Sequence, residues 1–443
     1  MLLSSEAVLA LAPDGASAKS ARELVVPSKW PLLGAHELAV WGECQGSGAK
    51  PYQTQVDLSG PAFRCSCPSR KFPCKHGLAL LLLRAQNAAA FTSTVTPTWV
   101  SEWLSSRADK AQKQEAKQTA RAAAPVDPQA AENRDAQRWQ RIESAAAELQ
   151  RWLADQVAQG LGALGPQTLA SWQTMARRMV DAQAPGLGQR IRDAADAVQR
   201  EADWPERTLE RLGLLQLACD AMARRAQLPP EVQADLRVVA GWPQDRADVL
   251  ASGEQVADRW SVLGCVTEER DAKLSERRVW LQGEGMGRRA WLLDHAFGGR
   301  GFEQAWLVGT SVEATMVFFP GASALRALPA GPIGAAGVAY WPQTTGDAEW
   351  LAIARRVAAC PWTSLHPMIT PDAVPLRDGD RCRLVCQGRL LELSIGEPDA
   401  WTLIAAAGGR PLKLMGEWDG HRLAPLSAWT DRAGPALWTR GAA

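Results

Sequence analysis

The chain has 443 residues, 46% of them hydrophobic and 22% charged, with a formal net charge of +1. At roughly 100–200 residues per domain this is room for two to four domains with real cores, and the charge excludes a polycation, so any nucleic-acid surface must be local. Nine cysteines are too few, and odd in number, for a disulfide framework, and no apolar run approaches the roughly 20 residues of a membrane span.

The N-terminal stretch MLLSSEAVLALAPDG lacks a basic leader and is interrupted by Glu6, so it does not read as a signal peptide. The expected location is the cytoplasm, where thiols stay reduced and clustered cysteines point to metal. Residues 1–104 mix strand signals with one apolar helix that follows Gly77. Residues 105–134 are rich in Ala, Gln and charge, with Val126 as the one large apolar residue, and read as a linker, in part helical.

Residues 135–242 are helical by periodicity. Trp139, Ile142, Ala146, Leu149, Leu153 and Val157 recur every three or four positions, as do Leu169, Trp172, Met175 and Met179. Pro166, Pro185 and Pro205 fall near helix starts. A bundle of four or five helices is expected.

Residues 243–443 turn β-rich. Two strands are expected within 277–295 around a Gly-rich turn, two within 381–395 around Gln387-Gly388, and one over 412–418 before the turn dipeptide Asp419-Gly420. One helix, about 347–359, stops at Pro361. No sequence repeat of fixed period is present. The expected class is therefore multidomain α+β: a small β-β-α module, a helical bundle and a β-rich C-terminal region. The 20 Trp, against 2 Tyr and 7 Phe, read as buried rings.

The chemistry sits in FRCSCPSRKFPCKHGLALLLL, residues 63–83. Cys65 and Cys67 are two apart, so an extended backbone points both the same way. Cys74 and His76 follow at the start of the apolar helix. Three thiolates and an imidazole are the donor set of closed, structural Zn²⁺ sites, and four protein ligands leave no open position for catalysis. One structural zinc also addresses the marginal stability of a module of about 50 residues.

This C-x-C, loop, C-x-H pattern resembles the SWIM zinc finger family, in its bacterial multidomain branch. The preceding segment 41–60, with Tyr52 to Asp57 as a second strand, is similar to the family's hairpin. The resemblance implies a β-β-α module over about residues 35–88 that binds DNA or protein. It also implies partners encoded beside it, an AAA-type ATPase or a von Willebrand A-domain protein. It assigns no function to the rest of the chain.

Between Leu58 and Ser101 there is no Asp or Glu, whereas Arg64, Arg70, Lys71, Lys75 and Arg84 supply +5. Zn²⁺ with three thiolates contributes −1, leaving about +4. Phe63 and Phe72 interleave with these bases as a stacking surface for nucleic acid would. Basic residues beside thiolates also serve simply to neutralise them.

Three readings follow: a zinc-dependent, non-catalytic protein-interaction module; a DNA-binding finger that uses the basic loop; and an enzyme with a site in the C-terminal region near His295, His366 or His421. The last lacks a nucleophile motif, and the Gly-rich runs 283–287 and 331–337 lack the Lys of a phosphate loop. Cys44, Cys219, Cys382 and Cys386 read as packing residues.

Overall fold

The computed structural model describes residues 5–9, 11–12, 15–46, 50–58, 62–69, 73–107, 109, 128–200, 203–271, 274–297, 302, 304–331, 333 and 337–441. Helices α1 (Ser5–Leu9) and α2 (Gly15–Arg22) precede strands β1 (Leu32–Ala35), β2 (Ala39–Cys44), β3 (Tyr52–Asp57) and β4 (Ala62–Cys65). The four strands form one antiparallel sheet in sequence order. The expected hairpin is β2–β3, with Trp41 opposite Gln55 and Cys44 opposite Tyr52, and β1 and β4 extend it.

Alternation along β2 decides what covers the sheet. Val40 and Cys44 face helix α3 (Lys75–Gln86), whose Leu78–Leu83 run is buried throughout. Ala39 and Trp41 face the other way, onto Trp99, Val100 and Leu104 of α4 (residues 98–107). An Arg107–Asp57 ion pair at 3.0 Å fastens α4 to β3.

Five helices follow: α5 (Pro128–Gln159), α6 (Pro166–Asp181), α7 (Pro185–Arg200), α8 (Trp204–Ala223) and α9 (Pro230–Ala240). Of the segment read as a linker, residues 128–134 lie in α5, and 110–127 lie outside the described residues. Pro166 and Pro185 open α6 and α7, where the missing N–H costs nothing. Trp139, Ile142, Ala146, Leu149 and Leu153 enter the bundle core, but Val157 does not. In that last turn Gln156 points inward instead and accepts from the Trp172 indole at 2.8 Å.

Helix α10 (Arg246–Ser252) leads into β5 (Glu254–Asp271), β6 (Leu274–Gly283), β7 (Arg289–Phe297), β8 (Thr310–Phe318), β9 (Ala327–Pro329) and β10 (Gly337–Val338). After α11 (Gly346–Ala359) come β11 (His366–Asp378), β12 (Arg381–Cys386), β13 (Arg389–Leu393), α12 (Glu397–Ala407), β14 (Leu412–Trp418), β15 (Arg422–Trp429) and β16 (Trp438–Thr439). The β12–β13 turn is at Gln387-Gly388, both with positive φ, 48° and 75°, as a two-residue hairpin turn requires; glycine adopts this freely, whereas Gln387 does so at some steric cost.

These strands close into two five-stranded barrels of the same connectivity. In the first, β5 pairs with β8 along its N-terminal half and with β6 along the rest; β6 pairs with β7 and β8 with β9. A parallel bridge from Trp291 to Arg326 closes the ring. In the second, β11 pairs with β14 and then with β12, β12 with β13, β14 with β15, and parallel β13–β15 pairing closes it. Each first strand carries an irregularity between its two partners, at Val262/Gly264 and at Thr370/Ala373, which lets it bend across the barrel. A three-strand meander followed by a hairpin that returns parallel to the third strand is the OB-fold connectivity.

The barrels share a core. Leu263, Val266, Trp280 and Leu325 of the first meet Ile369, Met415, Leu426 and Trp429 of the second. Cys360 and Trp362, after α11, pack into the helical bundle.

Candidate metal centre

Local structure delivers the four expected side chains to one point. Cys65 ends β4, and Cys67 follows two residues on. The turn is pinned to β3 by Ser66 N–H donating to the Gln53 carbonyl at 2.9 Å and by Gln53 N–H donating to Ser66 Oγ at 3.0 Å. Cys74 is the N-cap of α3 and accepts from Gly77 N–H at 3.5 Å. His76 lies in the first turn, buried, its ring 4.9 Å from that of Tyr52.

The four ligand atoms all lie within 4.8 Å of one another, with Cys65 Sγ and His76 Nδ1 at 3.8 Å. Tetrahedral bonds of about 2.3 Å to sulfur and 2.0 Å to nitrogen require separations of about 3.5–3.8 Å. The Cys₃His quartet is thus geometrically compatible with a closed structural zinc site. Thr54 Oγ1, 3.1 Å from Cys65 Sγ, and the Gly77 N–H on Cys74 are outer partners of the kind that orient ligands. Neither follows from the ligand spacing alone; Thr54 is set by the β3–β4 register, where it faces Cys65.

Electrostatics agree with crowded sulfur donors. Hydrogen bonding with Cys65 and Cys74 draws the Cys67 thiol well below its ordinary range, whereas Cys65, Cys67 and burial push Cys74 up. Burial pushes the His76 imidazole down, but Cys65 and Cys67 outweigh it and lift the group to about 9. Cys44 is buried in the module core, and burial pushes its thiol up to about 11, so it is a packing residue.

Among the described residues, Arg84 stands apart from Arg64 and Lys75. Arg64 on β4 and Lys75 beside the ligands are exposed. Arg84 sits near the other end of α3, about 13 Å away at 1.5 Å per residue. There it donates to the Ala88 carbonyl at 3.2 Å and lies over Phe91. Arg70, Lys71 and Phe72 lie outside the described residues. Phe63 is not a stacking platform: it is 8% exposed and packs against α3 at Gly77, where a methyl group would meet its ring at 2.9 Å.

The C-terminal histidines have three different settings. His295 at the end of β7 faces Glu276 at 3.5 Å, His421 in the β14–β15 turn meets Glu210 of α8 at 2.6 Å, and His366 is buried at the start of β11. Among the described residues the Cys₃His quartet is the only such His/Cys/Asp/Glu cluster of three or more. Cys382 and Cys386 lie in the second barrel's core, and Cys219 in that of the bundle.

A sheet-and-helix module closed around a quartet compatible with zinc has the build of a zinc finger. Comparison with family models is specific: residues 52–85 match the SWIM zinc finger, and residues 137–240 match the SWIM-associated four-helix bundle domain. The chain contains both domains, and both are non-catalytic modules. No curated protein and no solved structure matches the chain. No helix among the described residues is long and apolar enough to cross a membrane.

Proposed function

We propose that the chain is a zinc-dependent, non-catalytic recognition protein whose finger engages a protein partner. Cys65, Cys67, Cys74 and His76 hold one structural Zn²⁺, and the carrying observation is the convergence of their donor atoms within 4.8 Å. The ion supplies the folding free energy that a small module lacks. A reducing, cytoplasmic location suits a site that needs free thiolates.

Protein is favoured over DNA by what the finger exposes. Phe63 is buried and Arg84 is turned away from the ligand end, which withdraws a stacking ring and one charge from a nucleic-acid surface. Sheet faces are covered by α3 and α4, so recognition falls to the ligand-bearing edge with Arg64 and Lys75. The DNA reading rests on those same exposed bases together with Arg70 and Lys71. An AAA-type ATPase or a von Willebrand A-domain protein is the partner class to try first.

The test is elemental analysis of full-length protein beside Cys74→Ser and His76→Ala. One zinc per chain is expected in the wild type and none in either variant. Capture of the two candidate partners and salt-dependent retention on DNA are then measured for each. Wild-type protein free of zinc under reducing, metal-replete conditions overturns the metal assignment. Salt-sensitive DNA retention lost on charge reversal at Arg64 and Lys75, with no partner captured, selects the DNA reading instead.

A further inference from the structure

A cavity of about 290 Å³ lies where the first barrel meets the helical bundle. Its barrel wall is formed by Trp280 of β6, Trp291 of β7 and the β8–β9 loop with Phe319 and Arg326. Arg190 of α7 and Trp362, after α11, line it from the bundle side. In barrel terms this is the face of the second and third strands together with the loop between the fourth and fifth, the region where OB-folds take ligands. Fold alone does not assign a ligand, so the chemistry of the wall must.

The lining is aromatic and carries three arginines, Arg190, Arg326 and the Glu417-paired Arg278, against one carboxylate. Trp280 and Trp291 stack with centroids 5.9 Å apart, and the Arg326 guanidinium lies 4.3 Å over the Phe319 ring. Arg326 Nε and the Trp362 indole nitrogen are buried donors with no acceptor among the described residues. Arg190 donates to the Trp362 carbonyl at 3.2 Å. Among the described residues neither Arg190 nor Arg326 has a carboxylate partner. Burial lowers the pKa of both, yet a guanidinium stays charged. The one carboxylate in the wall, Asp235, is already held by Ala322 N–H at 3.0 Å. Asp193 acts on Arg190 and Glu276 on Arg326 only from beyond ion-pair distance, so two largely desolvated cations are left with room for a closer anion.

Volume limits what can supply it. Small-molecule sites span roughly 300–1,000 Å³, so this one is at the small end and fits a single ring system with its charged group. A strand of nucleic acid occupying about four or more nucleotides on such a barrel does not fit.

We propose that this cavity binds a small anionic ligand with a flat aromatic body, the anion answering Arg190 and Arg326 and the ring lying among Trp291 and Phe319. The anionic group is a phosphate, as in a nucleoside monophosphate, or a carboxylate on an aromatic ring. The site is separate from the finger and does not depend on the zinc assignment.

The experiment is calorimetric titration of full-length protein with adenosine monophosphate, an indole carboxylate, adenosine and inorganic phosphate, with tryptophan fluorescence as a second readout. Saturable binding of a ring-bearing anion is expected, with adenosine and phosphate at least about tenfold weaker, and the better ligand identifies the anion class. Arg190→Gln and Arg326→Gln should each weaken binding about tenfold or more. Ser323→Trp, in the same loop, fills the cavity without touching a charge and should abolish binding; it decides the matter if an arginine variant fails to fold. No saturable binding of either ring-bearing anion, phosphate binding as tightly alone, or affinity unchanged in the folded variants overturns the proposal.

Discussion

Arg278 on β6 and Glu417 on β14 are both buried, with side chains 6% and 3% exposed, and two hydrogen bonds of 2.9 and 3.0 Å join them across the barrel–barrel boundary. The Trp280 indole donates to the same carboxylate at 2.8 Å. Arg278 also pairs with Glu268 at 2.8 Å and Glu276 at 3.2 Å, so it is removal of Arg278 that strands a charge, the buried Glu417 carboxylate. Arg278→Met should cost about 3–5 kcal/mol in denaturant unfolding, and adding Glu417→Leu should recover much of that loss. Strictly additive losses would show that the pair does not act as a unit. His366 is a second residue whose setting has a measurable sign. Burial and then Arg356 hold its imidazole down at about 4. The unfolded chain takes up that proton near 6.5. Between these values the unfolded state binds a proton that the native state refuses, so stability is full above pH 6.5 and falls as pH drops toward 4. Unfolding measured at pH 7 and pH 5 should lose about 2 kcal/mol less in His366→Leu than in wild type.

Elements meet where side chains are absent. Gly186, at the start of α7, touches the C-terminus of α9: a methyl group there would collide with the Val239 carbonyl and come within 2.6 Å of Gly241 N. Gly241 caps α9 in the left-handed region at φ 78°, with Trp242 N–H returning to the Arg237 carbonyl, the geometry glycine permits at little cost. Since the opposing atoms are backbone, they cannot swing aside. Gly186→Ala should destabilise the bundle by about 2–3 kcal/mol, beyond the gain in helix propensity, with thermal melting as the check. A neutral result would mean that α7 and α9 slide apart without penalty.

For the whole molecule, the distribution of cores sets how it unfolds. The finger's clusters contain no residue beyond Leu104. The bundle core takes in Cys360 and Trp362, and another cluster spans both barrels. Metal chelation should therefore remove one calorimetric transition, that of residues 1–104, and leave a second, for bundle and barrels together, unmoved. A chelator that shifts both transitions equally would show the finger to be coupled to the rest. The division into an N-terminal module, a helical domain from about 135 to 242 and a β-rich region beyond is our working reading of the same cores.

Much of this was legible in the chain itself. Ligand spacing announced Cys65, Cys67, Cys74 and His76, because a C-x-C on extended backbone and a C-x-H at a helix start leave little freedom in where donors point. Helical period marked Trp139 to Leu153, and Gln387-Gly388 marked its hairpin, since these are local signals read within one or two turns of chain. Closure of the β-rich region into two barrels was not legible: pairing β5 with β8 or β13 with β15 joins residues tens of positions apart, and alternation specifies a face but not a partner. Nor do the two barrels repeat in sequence, because connectivity is fixed by pairing and bends rather than by residue identity. The same limit hid the roles of single residues. Phe63 read as part of a stacking surface among bases until the sheet turned it onto α3, and nothing in the sequence marked Arg190 and Arg326, which line a cavity only because bundle and barrel meet. What the sequence determined by itself was the chemistry whose atoms are neighbours along the chain; what tertiary structure decided was everything that depends on which distant surfaces exclude water from one another.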